Sequence, residues 1–199
     1  MSFLNIPDVF IGSTDDGHTF VVLNRRLRDA DRMLTDAGFL PREHLGRKLY
    51  LLPPGPARDA HESAGDAMDG LLTRTIDIVD LSWTTRWNPD TPEADPDLRF
   101  QFANGTVTAT AETTTARSLL EQHGFTTVDG SSYQPPPGLE HDGLLGAVTA
   151  AEAHAYTHGL TVHVGLGIPT PMDIPAAPRP ASPVAPSPPP GPATRRRPR

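Results

Sequence analysis

Two histidines four residues apart, His154 and His158, are the best-spaced candidates for chemistry in this chain. On a helix, an i,i+4 pair shares one face and can chelate a metal if a third ligand is supplied. His163 is close in sequence, but Val162, Val164 and Leu166 alternate with it. If those residues face a core, His163 points to the other side of its strand. His141 and Glu140 remain as loop ligands. The default expectation is two exposed helix histidines, with no metal and no other cofactor.

A second candidate is basic. Residues 25–48 carry Arg25, Arg26, Arg28, Arg32, Arg42, Arg47 and Lys48 against four acids, a net of +3. Arg25, Arg26, Arg28, Arg32, Arg47 and Lys48 are candidates for an anion site. The competing expectation is a solvated helix face with Arg25–Asp29 and Arg32–Asp36 pairs at i,i+4. Cations at a helix N-terminus also oppose its dipole.

A third candidate is Trp83-Thr84-Thr85-Arg86-Trp87. Arg86 between Trp83 and Trp87 could stack a ligand, or the tryptophans could seal a junction. Motif-borne catalysis is missing. There is no glycine-rich phosphate loop, no Gly-x-Ser-x-Gly elbow and no His-Glu-x-x-His.

The elements that must position these residues occur in two similar runs. Ala37-Gly38-Phe39 and Tyr50-Leu51-Leu52-Pro53-Pro54-Gly55 match His123-Gly124-Phe125 and Tyr133-Gln134-Pro135-Pro136-Pro137-Gly138. Thr75-Ile76-Asp77-Ile78 matches Thr161-Val162-His163-Val164, and the turns Asp16-Gly17 and Asn104-Gly105 correspond. Asp-Gly and Asn-Gly favour tight hairpins. Helical spacing follows at Leu27, Ala30, Leu34 and Ala37, with Gly38 as the stop. A second hairpin comes next, with a longer loop in the first run. A second helix and a closing strand complete each run, about Ala57–Thr73 with Thr75–Leu81 and Leu144–His158 with Leu160–Leu166.

These readings predict an α+β protein, a tandem duplication of a ββαββαβ unit. The last six elements have the ferredoxin-like two-layer order, although an extra strand cannot pair where that sheet is already full. Unit 1 is expected over residues 8–83, an acidic proline-punctuated linker over 84–97, and unit 2 over 98–168. The two units are expected to pack as a pseudo-dimer.

Residues 169–199 hold 12 of the 23 prolines and a net charge of +4, leaving −11 on residues 1–168. The tail is expected to be disordered and extended, polyproline in character, with Arg195, Arg196, Arg197 and Arg199 as contact candidates. The chain has no cysteine, so disulfides and thiolate chemistry are excluded. No run is apolar enough for a membrane span, and the N-terminus lacks a secretion signal. The expected location is cytoplasmic. The leading functional expectation is a non-catalytic binding or adaptor protein with a recruiting tail and a protein partner. The alternatives are a nucleic-acid or polyanion binder using residues 25–48 and the tail, and an enzyme with a pocket between the units.

Overall fold

The computed structural model describes residues 2–86 and 95–178. Trp87, Arg195, Arg196, Arg197 and Arg199 lie outside the described residues. The N-terminal half runs β1 (Val9–Ser13), β2 (Thr19–Leu23), α1 (Ala30–Asp36), β3 (Leu40–His44), β4 (Arg47–Leu52), α2 (Ala57–Leu71) and β5 (Ile78–Asp80). A one-turn helix, α3 (Ser82–Thr85), follows. The C-terminal half runs β6 (Leu98–Ala103), β7 (Thr106–Ala111), α4 (Thr114–Gln122), β8 (Thr126–Asp129), β9 (Ser132–Gln134), α5 (His141–Thr157) and β10 (Val162–Gly165). Among the described residues, no helix is long and apolar enough to cross a membrane.

The strands form two five-stranded mixed sheets, ordered β3-β4-β2-β1-β5 and β10-β6-β7-β9-β8. Read from the opposite end, the second order is the first. These orders differ from the expected ferredoxin-like one. The first strand of each half inserts beside its hairpin partner, and the closing strand moves outward to pair with it in parallel. The conflict over the extra strand is thereby resolved, since the sheet widens by one strand.

Local chemistry explains the repeated landmarks. Gly38 (φ 92°) and Gly124 (φ 79°) end α1 and α4 in the left-handed conformation that glycine accepts readily. The next residue donates its N–H back into the helix, Phe39 to the Leu34 carbonyl at 2.9 Å and Phe125 to the Leu120 carbonyl at 3.0 Å. Both phenylalanines are then buried. The Gly-Phe pair is therefore a helix stop that also delivers an aromatic to the core.

Three expectations change. The helix at residues 27–37 shortens to Ala30–Asp36, because Asp29 adopts φ 62° and the preceding arginines oppose a helical first turn. Arg25, Arg26 and Arg28 therefore precede the helix. The loop between β3 and β4 is a two-residue turn, Leu45-Gly46, with φ 46° and 78°. The closing-strand match slips, since Ile78 pairs with Val9 as Val162 pairs with Leu98. Val79, not Asp77, therefore occupies the place of His163.

The two sheets are covered differently. On β6 and β7, Leu98, Phe100, Phe102, Val107, Ala109 and Ala111 are buried, and the alternate residues are more exposed. Every residue of β1 is buried. One face of the first sheet, with Val9, Ile11, Val21 and Tyr50, packs under α1 and α2. Its other face, with Phe10, Phe20, Val22 and Leu49, belongs to the core cluster of the C-terminal half. Phe3 bridges them, stacked on Phe102 at 4.3 Å and edge-on to Phe10 at 6.0 Å. Isologous packing through matching faces, expected of a pseudo-dimer, is not what this burial describes.

The segment after β10 returns to the N-terminal half. Leu166, Ile168 and Ile174 are buried in the same cluster, and the Asp15 and Asp16 N–H groups donate to the Ile168 and Pro169 carbonyls. The expected tail thus begins as a seated strap, at least through Pro175. Gly12 lies beneath it, where a Cβ would sit 2.8 Å from Leu166 Cδ1 and 3.0 Å from Phe10 Cε1. Gly12→Val is expected to cost about 1–3 kcal/mol by overpacking. A lower urea midpoint at unchanged m-value is the check.

Candidate functional site

Helix α3 has one turn, and three of its four residues are buried: Ser82, Thr84 and Thr85. The fourth, Trp83, is 61% exposed. Its indole meets the edge of His61 on α2, with ring centroids 4.6 Å apart. Trp83 therefore does not seal the junction between the halves. A buried helix holds it outward, which leaves a large aromatic surface for contact.

A groove of about 180 Å³ is lined by Leu52, Pro53, Gly55, Pro56, Asp59, Ala60, Ser63 and Arg86, the residue after α3; Trp83 is not among its lining residues. Pro53 follows the end of β4, where a missing N–H stops the ladder, and Pro56 is the N-cap of α2. Arg86 donates through Nη2 to the Gly55 carbonyl. Its Nη1 is buried without a hydrogen-bond partner among the described residues. Burial lowers the Arg86 pKa, with Asp59 opposing the shift. The rim along α2 is acidic, with Asp59, Glu62, Asp66 and Asp69 exposed. Arg58 is the rim's cation, and it is paired with Glu62 at 2.7 Å.

A second cleft, about 240 Å³, lies between the halves and is lined by Asp15, Thr85, Arg99 and His163. Burial and the Arg99 charge hold His163 below its usual pKa. Burial and Asp16 raise Asp15. Thr85 Oγ1 accepts from the Ser13 N–H and donates to the Leu81 carbonyl, both at 2.7 Å. Arg99 and His163 are both partnered within the chain. These are polar groups of the junction between the halves. Sequence reasoning missed this cleft because its four residues come from four separate segments.

Glu152 of α5 sits at the same junction. Burial raises its pKa to about 7; the Thr84 hydrogen bond opposes the shift and Asp80 adds to it. Thr84 Oγ1 donates to Glu152 Oε1 at 2.7 Å.

The basic candidates are not brought to one point. Arg25 pairs with Asp8 at 3.2 Å, Arg28 with Asp29 at 3.5 Å, and Lys48 with Asp31 at 2.7 Å. Arg26 and Arg32 are exposed. Neither Arg25–Asp29 nor Arg32–Asp36 occurs among the ion pairs of the described residues. Arg47 is buried, and burial lowers its pKa. Its Nη2 donates to Asn5 Oδ1 at 2.5 Å and Asn24 Oδ1 at 3.2 Å, and its Nη1 to the Pro175 carbonyl at 3.2 Å. Arg47 is a clamp inside the fold.

The histidines do meet a third, though not His163, which faces away with Arg99. His123, the C-cap of α4, has Nε2 at 3.1 Å from Nδ1 of His154. His154 Nε2 is 3.1 Å from His158 Nε2. Burial and His154 lower the His123 pKa. The available signal was its position at the end of the helix that must pack on α5. Among the described residues, no three histidine or carboxylate side chains form a complete metal-binding group. No protein-family model, curated protein sequence or solved structure matches this chain.

Proposed function

We propose that the chain is a non-catalytic adaptor whose Trp83 and neighbouring α2 groove together bind an extended, basic, proline-containing segment of a partner protein. The observation that carries it is Trp83, 61% exposed on a helix whose other residues are buried. An exposed aromatic and a groove that both border α2 suit proline rings, which arrive already extended and lose little entropy. The acidic α2 rim favours a basic segment. A labelled Pro-Pro-Arg repeat peptide tests this against the full-length protein, with a Pro-Pro-Glu repeat as control. Trp83→Ala should weaken the first by about tenfold or more, the scale of an aromatic anchor. Equal affinity for both peptides, or no loss in the variant, would refute the reading.

The same proposal takes residues 8–83 and 98–168 as diverged copies of one ββαββαβ unit, joined by residues 84–97. Support comes from the shared strand order and the Gly-Phe helix stops. Further support comes from the way each closing strand is clasped. Asp97 and Thr161 exchange hydrogen bonds of 2.9–3.0 Å. The Asp8 N–H and carboxylate bond Asp77 and Thr75 at 3.1 and 2.7 Å. A single-unit relative with this strand order is the expected find. Relatives in which one half carries a different fold would refute common descent.

A further inference from the structure

The histidine cluster at the ends of α4 and α5 brings three imidazoles into contact, and its two contacts differ in geometry. The His123 and His154 ring centroids lie 5.3 Å apart. A straight N–H···N bond of this length puts imidazole centroids about 5.4 Å apart, so that contact is an ordinary hydrogen bond. The His154 and His158 centroids lie only 4.9 Å apart at the same nitrogen separation. These two rings therefore do not point straight at each other; their Nε2 atoms converge at an angle. Two nitrogens each ~2.05 Å from a shared metal would give centroids ~4.8 Å apart at this nitrogen separation. The spacing also lies between the ~2.9 Å edge of a right-angled set and the ~3.3 Å edge of a tetrahedron.

We infer that His154 and His158 form a two-histidine chelate for a divalent transition metal, with His123 as the positioning residue behind His154. With His154 protonated on Nδ1, that N–H donates to Nε2 of His123. The tautomer so fixed leaves Nε2 of His154 with a lone pair for the metal. Such an outer partner orients a ligand imidazole and raises its basicity. Backbone electrostatics favour a cation there. His123 caps the C-terminus of α4 and His158 that of α5, so the negative ends of two helices meet at the cluster. Solvent completes the coordination, consistent with a partly exposed His154 and an exposed His158.

The test is calorimetric titration of the untagged full-length protein with Zn²⁺ at pH 7.5, together with electron paramagnetic resonance of the Cu²⁺ form. The expected result is one ion per chain and two equatorial nitrogens in the copper spectrum. His158→Ala should abolish one-to-one binding, and His123→Ala should weaken it by about tenfold. His141→Ala should change nothing. His158 is an exposed cap, so its removal leaves the fold intact, which circular dichroism of the same sample checks. Unchanged zinc affinity in His158→Ala, or a copper spectrum without paired nitrogens, would overturn the site. An unchanged affinity in His123→Ala would overturn its positioning role.

Discussion

Replacing Glu152 by glutamine should flatten the pH dependence of stability between pH 5 and 8. The native carboxyl titrates at about 7, against 4.5 for the unperturbed group. Between those values, the folded chain keeps a proton that the unfolded chain has released. The wild-type protein must therefore lose stability as pH rises through this window, and the loss levels off above it. A shift of this size corresponds to about 3 kcal/mol, part of which is already lost below pH 5. Glutamine keeps an oxygen to accept from Thr84 and carries no charge to bury beside Asp80. At pH 8 the variant should be about 2 kcal/mol more stable than wild type, and at pH 5 nearly equal to it. Urea unfolding of both proteins from pH 5 to 8 decides the matter. Parallel stability curves would mean that Glu152 ionises normally at the junction.

Arg47→Ala should be among the most damaging substitutions of a charged residue. It removes the hydrogen bonds to Asn5 Oδ1, Asn24 Oδ1 and the Pro175 carbonyl, all at a partly buried site. Charge-assisted bonds contribute about 1.5–3 kcal/mol each, and buried acceptors left alone add a penalty. Relief from burying the guanidinium offsets part of this, so a net loss of about 3 kcal/mol is expected. Arg47→Lys should not restore it, since one ammonium cannot reach three oxygens in a fork. Limited proteolysis gives a second readout. Cleavage should appear near residues 2–8 and 166–175, the two segments that the clamp ties down. A variant of full stability that lost affinity for polyanions would return Arg47 to the surface role its sequence context suggested.

That contrast shows what the sequence could convey. The hairpin at Asn104-Gly105 and the glycine stops of the Gly-Phe pairs are local, and local rules read them correctly. Arg47 sits in a run of cations, so composition places it on a surface. Its burial depends on Asn5, Asn24 and Pro175, which are distant in the chain. His123 was overlooked for the same reason, since its meeting with His154 requires α4 to lie on α5. For Trp83 the sequence left stacking and sealing both open, because only the one-turn helix turns its indole outward while Ser82, Thr84 and Thr85 are buried. The uniform burial of β1 could be read as a strand covered on both faces. Nothing local says that the second cover comes from residues 166–174.

That late cover has a consequence for how the protein is made. Synthesis proceeds from the N-terminus at roughly 5–20 residues per second. Phe10, Phe20, Val22 and Leu49 emerge long before Leu166, Ile168 and Ile174, the residues that help close over them. For several seconds on the ribosome, the first sheet exists with one apolar face open to solvent. The first half is therefore built early but completed last, and it is then that nascent-chain chaperones would be expected to bind it. Fragments ending before residue 166 should aggregate or remain chaperone-bound, and a fragment extended to residue 178 should not.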